Sequence, residues 1–354
     1  MPEPTERLGS PIGAHRAWRA SDFARPTDLA TVLTAEERAD LVAIAEDLPP
    51  DVGDWLDRPL DAISTPRLRT RFEALANEMG NGRGLLWIRG LETEDPERLR
   101  RMFWVLGNHL GEPLMQNARG EVLSEVYDRF AGAPRGRDSR GYESNDELNF
   151  HCDGGDMIGL ACVRPSPEGG ESGFVSLLAV YNALLEEAPE VLAPLYRGFP
   201  LYQRKEKEAD GESERSASVS NGRLPVFAER DGYVSAWLNR ILAEHACEAS
   251  GAPMSPDEVV ALDRLDAIAN RDDMALRVQL EEGDVVFIHN LSVMHRRDRY
   301  DDDPDPARQR LFYRMWANLR AGRELVRPHA GLRLGIRGPK PVIVGPRRAA
   351  KKRR

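Results

Sequence analysis

Apolar positions recur with two different periods along this chain, and the change comes near residue 112. Before it the spacing is helical. Thr34 and Glu37 form a capping box ahead of Leu41, Ile44 and Leu48, which share one helical face. Arg67 to Asn77 predicts a second helix. Leu85 to Ile88 is a short apolar run between glycines and predicts a buried strand. Asp95 and Pro96 have the chemistry of an N-cap and first helical position, opening a helix whose face is Leu99, Phe103, Leu106 and Leu110 and which ends near Gly111.

After residue 112 the segments shorten, and Gly, Pro and Asp punctuate them. Ile158 to Val163 and Gly173 to Leu177 are strand-like, and a helix runs from about Ser176 to Glu187. Ser255, Pro256 and Glu258 open another helix carrying Val259, Leu262, Leu265 and Ile268. Asp284 to His289 is a strand after a glycine turn. Arg310 to Asn318 is a strand whose period of two puts Arg310, Phe312, Arg314 and Trp316 on one face and Leu311, Tyr313 and Met315 on the other. Tyr202 to Gly222 is charged and serine-rich with almost no apolar content, and is expected to be a loop with the character of a lid. The fold class expected is mostly β: an all-β core with helical additions. Residues 1–83 read as a helical region packing on the core, 84–320 as the main domain, and 321–354 as a C-terminal extension.

Charge and composition narrow the function. The net charge is −9, and Arg347 to Arg354 hold six Lys or Arg and no acid, so the body is more acidic than the total. An acidic body does not suit nucleic acid, and the basic tail reads as a solvated terminus. No apolar run approaches the ~20 residues that span a bilayer. Met1 to Pro11 lacks the apolar segment of a secretory signal. Three cysteines, Cys152, Cys162 and Cys247, are too few for a disulfide framework. A small-molecule substrate, no nucleic-acid or membrane partner and a cytoplasmic location are therefore expected, and self-association is left open.

The chemistry concentrates in two segments. Asn149 to Leu160 reads NFHCDGGDMIGL. On an extended strand His151 and Asp153 would share a face, with Cys152 pointing the other way. One imidazole and one carboxylate make two thirds of the 2-His-1-carboxylate triad that holds non-haem Fe(II) and leaves positions open. A lone His-x-Asp is otherwise an ordinary surface pair. The third ligand is sought in GDVVFIHNLSVMH, where His295 follows the strand and His289 lies within it, as a packing or outer residue. Arg310 and Arg314 then lie on one strand face, and arginine's planar fork suits a carboxylate. The alternative is an arginine pair in salt bridges with Asp301 to Asp305.

In this order the motifs resemble the taurine-dioxygenase-like family of Fe(II)/2-oxoglutarate enzymes. The likeness extends through NFHCDGGDMIGLACVRPSPEGGESGFVSLLAVYNALLEEAPEVLAPLY, through GDVVFIHNLSVMHRR and RQRLFYRMW, and into LMQNARGEVLSEVYD, roughly Gly84 to Leu319. The resemblance implies a double-stranded β-helix, or jelly roll. It implies His151, Asp153 and His295 as iron ligands. It places Arg310 on the distal carboxylate of 2-oxoglutarate, with the Ser172 hydroxyl beside it, and turns Arg314 toward an acidic group on the substrate. The cofactors implied are Fe(II), 2-oxoglutarate and O2, with succinate and CO2 as coproducts. Because Asp153 is present, hydroxylation, desaturation or cyclisation is expected rather than halogenation.

The substrate is less specified. Gly154 would let a polar substrate group approach the backbone, and Arg314 points to a small carboxylate, sulfonate or amino-acid-like molecule. Gln116, Asn117, Trp237, Asn239 and Arg240 are further pocket candidates. Other readings stay open from sequence: a carrier-bound or protein substrate, a zinc-type hydrolase using the same ligands, or a non-catalytic jelly-roll binding protein.

Overall fold

The Thr34 hydroxyl oxygen accepts a hydrogen bond from the Glu37 backbone N–H, the Glu37 carboxylate accepts one from the Thr34 backbone N–H, and the helix they open, α1, runs Ala35–Asp47. In this computed structural model, which describes residues 9–91, 95–130, 136–207, 214–336 and 341–343, α2 spans Pro66–Asn81 and α3 spans Pro96–Leu110. Asp95 caps α3 through the Glu97 backbone, as its sequence predicts. The predicted face of α3 is buried, and so is most of the rest of its circumference. A helix buried nearly all round lies between two partners. Here they are α1 and α2 outside and a β-sheet inside.

That sheet has eight strands. They are β1 (Ala30–Thr31), β2 (Leu85–Ile88), β3 (Gly111–Leu114), β4 (Glu121–Val126), β6 (Met157–Arg164), β9 (Val285–His289), β11 (Leu311–Leu319) and β12 (Val342–Ile343). Their order is β1-β2-β9-β6-β11-β4-β12, and β3 also pairs with β11. All neighbours are antiparallel except the two edge pairs, β1 with β2 and β12 with β4. A four-stranded sheet faces it, made of β5 (Leu148–His151), β7 (Ser172–Ser176), β8 (Leu276–Val278) and β10 (Val293–Arg297) in the order β8-β7-β10-β5.

Three apolar layers follow. Phe103, Leu106, Phe287 and Met315 lie between α3 and the large sheet. Ile158, Val286, Phe312 and Trp316 of the large sheet meet Phe174 and Leu276 of the small one. The outer face of the small sheet, with Phe150, Val175 and Met294, packs on α4 (Leu177–Glu187) and α5 (Pro256–Ala269). Two sheets face to face with helices outside is the expected arrangement.

Three local expectations change. The strand carrying His151 ends at that residue, so Asp153 lies beyond it and not on it. Tyr202 to Gly222 is not a plain loop. Tyr202–Gln203 pairs with Ser218–Val219, and Glu206–Lys207 with Glu214–Arg215. Backbone ladders hold these short pairs, and with charged side chains on both faces there is no apolar alternation to announce them. Val259 is exposed, and Ala261 and Ala269 join Leu262, Leu265 and Ile268 on the buried face of α5. The basic tail, 347–354, lies outside the described residues.

Candidate metal centre and active site

β5 and β10 are antiparallel neighbours in which His295 stands opposite His151. This register brings the two imidazoles to a centroid distance of 4.4 Å. Asp153 reaches the same point from beyond the end of β5, with Oδ1 3.9 Å from Nε2 of His151. One ligand atom from each of His151, Asp153 and His295 lies within 4.8 Å of the others, which makes these three a group able to hold a metal ion.

Their surroundings fit that donor set. Nδ1 of His151 donates to the Asn149 carbonyl at 2.8 Å, which leaves Nε2 as the lone-pair nitrogen. His295 is buried, its Nδ1 has no hydrogen-bond partner among the described residues, and burial pushes its pKa down to about 3, so the ring is neutral and free to coordinate. Removal from water would push the Asp153 carboxyl up, but the Arg314 charge and the Trp316 hydrogen bond act against this, and the carboxyl is held below the ordinary carboxylate value. Two imidazoles and one ionised carboxylate are the donor set of the facial triad that holds Fe(II).

Asp153 is held on every side. Its backbone nitrogen donates to Asn290 Oδ1 at 3.2 Å, and its carbonyl accepts from Trp237 Nε1 at 2.8 Å. Its Oδ2 accepts from Trp316 Nε1 at 3.1 Å, with Nη1 of Arg314 3.7 Å away. Cys152 is buried on the far side, its Sγ 3.7 Å from the Val293 carbonyl. His289 is not part of the cluster. It bonds Ser292 Oγ at 2.8 Å and is buried in the sheet.

A cavity of about 480 Å³ opens above the cluster. Ser172, Arg310 and Arg314 line it, as do Asn239 and Arg240. The Arg310 guanidinium lies 4.0 Å from the Phe312 ring and 5.0 Å from that of Tyr300, and its Nη1 has no partner among the described residues. The salt bridge considered for this pair is made instead by Arg308, with Asp303. Arg314 stacks 3.7 Å over Tyr142 and donates from Nε to Gln116 at 2.7 Å, while its Nη2 is unpartnered among the described residues. Arg240 is engaged by Glu244, Asp263 and Asp266. Asn117 turns away to Glu121.

A Cβ at Gly154 would lie 2.7 Å from the Trp316 indole, so the side-chain direction of this glycine is filled by that ring. Sequence reasoning put Trp316 on the correct face of its strand but gave it no role. The available signal was its period-two alignment with Arg310 and Arg314.

The chain matches, over residues 39–316, the family described as taurine catabolism dioxygenase TauD, TfdA family. It belongs to that family. The chain is thus an Fe(II)- and 2-oxoglutarate-dependent dioxygenase, an oxidoreductase. This dioxygenase is 27% identical over 325 residues to FR-33289 synthase of Streptomyces rubellomurinus, covering 90% of this chain and 94% of the relative. An asparagine oxygenase solved with Fe(II), 3-hydroxyasparagine and succinate superposes with a TM-score of 0.63 at 15% identity, over 82% of this chain and 93% of that one. OrfP, a non-haem iron oxygenase solved with Fe and α-ketoglutaric acid, gives 0.57 at 17% identity, over 82% and 94%. These structural likenesses establish the fold as the double-stranded β-helix oxygenase fold. No helix among the described residues is long and apolar enough to cross a membrane.

Proposed function

We propose that this dioxygenase hydroxylates an unactivated C–H bond of a small anionic substrate, a carboxylate, sulfonate or amino-acid-like molecule, with His151, Asp153 and His295 holding iron. The observation that carries the reading is the pair of buried guanidiniums, Arg310 and Arg314, each with a nitrogen that has no partner among the described residues, in the cavity above the triad. A buried cation without a carboxylate is costly unless a ligand supplies the charge. Arg310 has no ion pair among the described residues and calls for an anionic ligand, while Arg314, 3.7 Å from Asp153, still turns Nη2 to the cavity.

Arg310 would take the distal carboxylate of 2-oxoglutarate. Its rings fix the plane of the guanidinium before binding, so little freedom is lost when the fork engages. Ser172, on the neighbouring sheet, faces the same cavity and offers a hydroxyl. Arg314 would steer the substrate's acidic group, with Gln116 and Tyr142 holding it in place. When bound, iron with 2-oxoglutarate and O2 supplies the oxidising chemistry, releasing succinate and CO2. The residues of the chain hold the ligands neutral or ionised as needed, orient the two anions and keep the target C–H near the metal. The ligands named for the similar structures, 3-hydroxyasparagine in the asparagine oxygenase and L-Arg in an OrfP complex, support a small amino-acid-like molecule at this site. The cysteines are unpaired in the structure, which supports a reducing, cytoplasmic setting.

The test is substrate-stimulated succinate formation, screened over amino acids, sulfonates and small carboxylates, in wild type and Asp153→Ala. Full turnover in the variant would defeat the iron assignment. Stimulation only by neutral molecules would defeat the anionic reading.

A further inference from the structure

Asp153 has no strand to aim it, since β5 stops at His151. What aims it is a set of side chains from elsewhere in the fold. Asn290 and Trp237 fix its backbone at 3.2 and 2.8 Å. Asn290 also donates to the Gly154 carbonyl at 3.1 Å. With the backbone pinned, one freedom remains: which carboxylate oxygen turns to the histidines.

Trp316 makes the hydrogen bond that decides that. Its Nε1 donates to Oδ2 at 3.1 Å, with Arg314 Nη1 farther off, 3.7 Å from the same oxygen. Oδ1 is the oxygen recorded against His151, at 3.9 Å. The indole is locked where it can do this. It is buried between the two sheets, and one edge lies on Gly154, where a Cβ would come within 2.7, 3.1 and 3.2 Å of three ring carbons. Gly154 and Trp316 therefore form an interlocked pair: the glycine admits the ring and the ring tethers the carboxylate.

We propose that Trp316 is a positioning residue that makes Asp153 a one-oxygen ligand, by occupying Oδ2 and leaving Oδ1 to the metal. The inference rests on the iron assignment proposed above. A carboxylate oxygen already accepting an N–H bond from a rigid donor is a poorer second ligand. Chelation through both oxygens would take one of the three positions that a bidentate cosubstrate and O2 require.

The test uses the metal-free, full-length protein under anaerobic conditions, titrated with Fe(II) and separately with Co(II), whose visible absorption reports coordination number. Trp316→Phe keeps a ring over Gly154 and removes the donor. Its Fe(II) affinity should fall roughly 10- to 100-fold, and its Co(II) bands should shift in position and intensity. Gly154→Ala keeps the indole but displaces it, and should give a similar loss. The double variant should be no worse than the weaker single one, because both act through one contact. Wild-type affinity with an unchanged Co(II) spectrum in Trp316→Phe would overturn the proposal. So would an affinity loss accompanied by an equal loss of metal-free melting stability and no spectral change, since that is a packing effect. Asp153→Ala separates the two levels. If it binds Fe(II) like wild type, the metal assignment itself is wrong. If it does not, while Trp316→Phe does, only the role of Trp316 is wrong.

Discussion

His151 and His295 are cross-strand partners, 4.4 Å between ring centroids, on adjacent antiparallel strands of the small sheet. Their meeting depends on register alone. A slip of one residue would turn His295 to the opposite face, so the centre is built into the pairing of β5 with β10. His295→Ala should remove a ligand without touching that pairing. Succinate formation should fall by more than the 10- to 100-fold typical of losing an outer partner of a metal ligand. Circular dichroism and melting temperature of the metal-free protein should stay near wild type. Retained turnover would show that another group ligates the metal.

Arg310 and Arg314 are four residues apart on one face of β11, yet their neighbours differ. Arg310 lies between aromatic rings, its Nη1 without a partner among the described residues, whereas Arg314 is tied to Gln116 and lies 3.7 Å from Asp153. Removing one partner of a buried charge pair costs about 2–5 kcal/mol. Arg310→Ala should therefore raise the KM for 2-oxoglutarate roughly 100-fold or more. Arg314→Ala should act chiefly on the substrate KM and on iron affinity. Steady-state kinetics with each reactant varied in turn would separate them. A 2-oxoglutarate defect confined to Arg314→Ala would reverse the assignment.

Much of this arrangement was legible in the sequence because it is local. The Thr34–Glu37 box, the Asp95–Pro96 start and the alternating faces of β11 need only neighbouring residues. The setting of Asp153 was not legible. Its clamps come from Trp237, Asn290 and Trp316, separated from it by 84, 137 and 163 residues. The packing at Gly154 was hidden for the same reason: only the tertiary fold shows that an indole lies against this glycine. The paired strands within 202–222 were hidden because their charged side chains carry no period.

That charged excursion is fastened over the cavity by Asp138 and Glu206. Asp138 Oδ1 accepts from the Tyr202 hydroxyl at 3.0 Å and the Lys205 backbone at 3.1 Å. Glu206 pairs with Arg140, which lines the cavity, and also accepts from the Ala118 backbone at 2.9 Å. Both side chains of the pair are largely withdrawn from water. Glu206→Ala leaves Arg140 uncompensated and should raise local opening about tenfold or more. Hydrogen exchange over 202–207 should quicken, and the substrate KM should rise with little change in that for 2-oxoglutarate. Unchanged exchange in this segment would show that the pair does not fasten it.

His329 gives the fold an acid-sensitive component away from the metal centre. Its Nε2 donates to the Pro225 carbonyl at 2.8 Å, and the Ser235 hydroxyl lies 2.6 Å from Nδ1. The neutral ring satisfies both, and burial pushes its pKa from 6.5 down to about 4. The unfolded chain takes up a proton at the ordinary value, so between these limits it holds more protons than the folded one. Stability from this group is therefore complete above pH 6.5, falls as pH drops toward 4, and changes no further below that. The shift corresponds to roughly 3 kcal/mol. His289, buried and pushed down to about 3, acts in the same direction. Urea denaturation of the metal-free protein at pH 7, 5.5 and 4.5 would isolate the effect. His329→Gln should be less stable than wild type at pH 7, and the gap should narrow as the pH falls. A gap that stays constant across this range would assign the acid sensitivity to other groups.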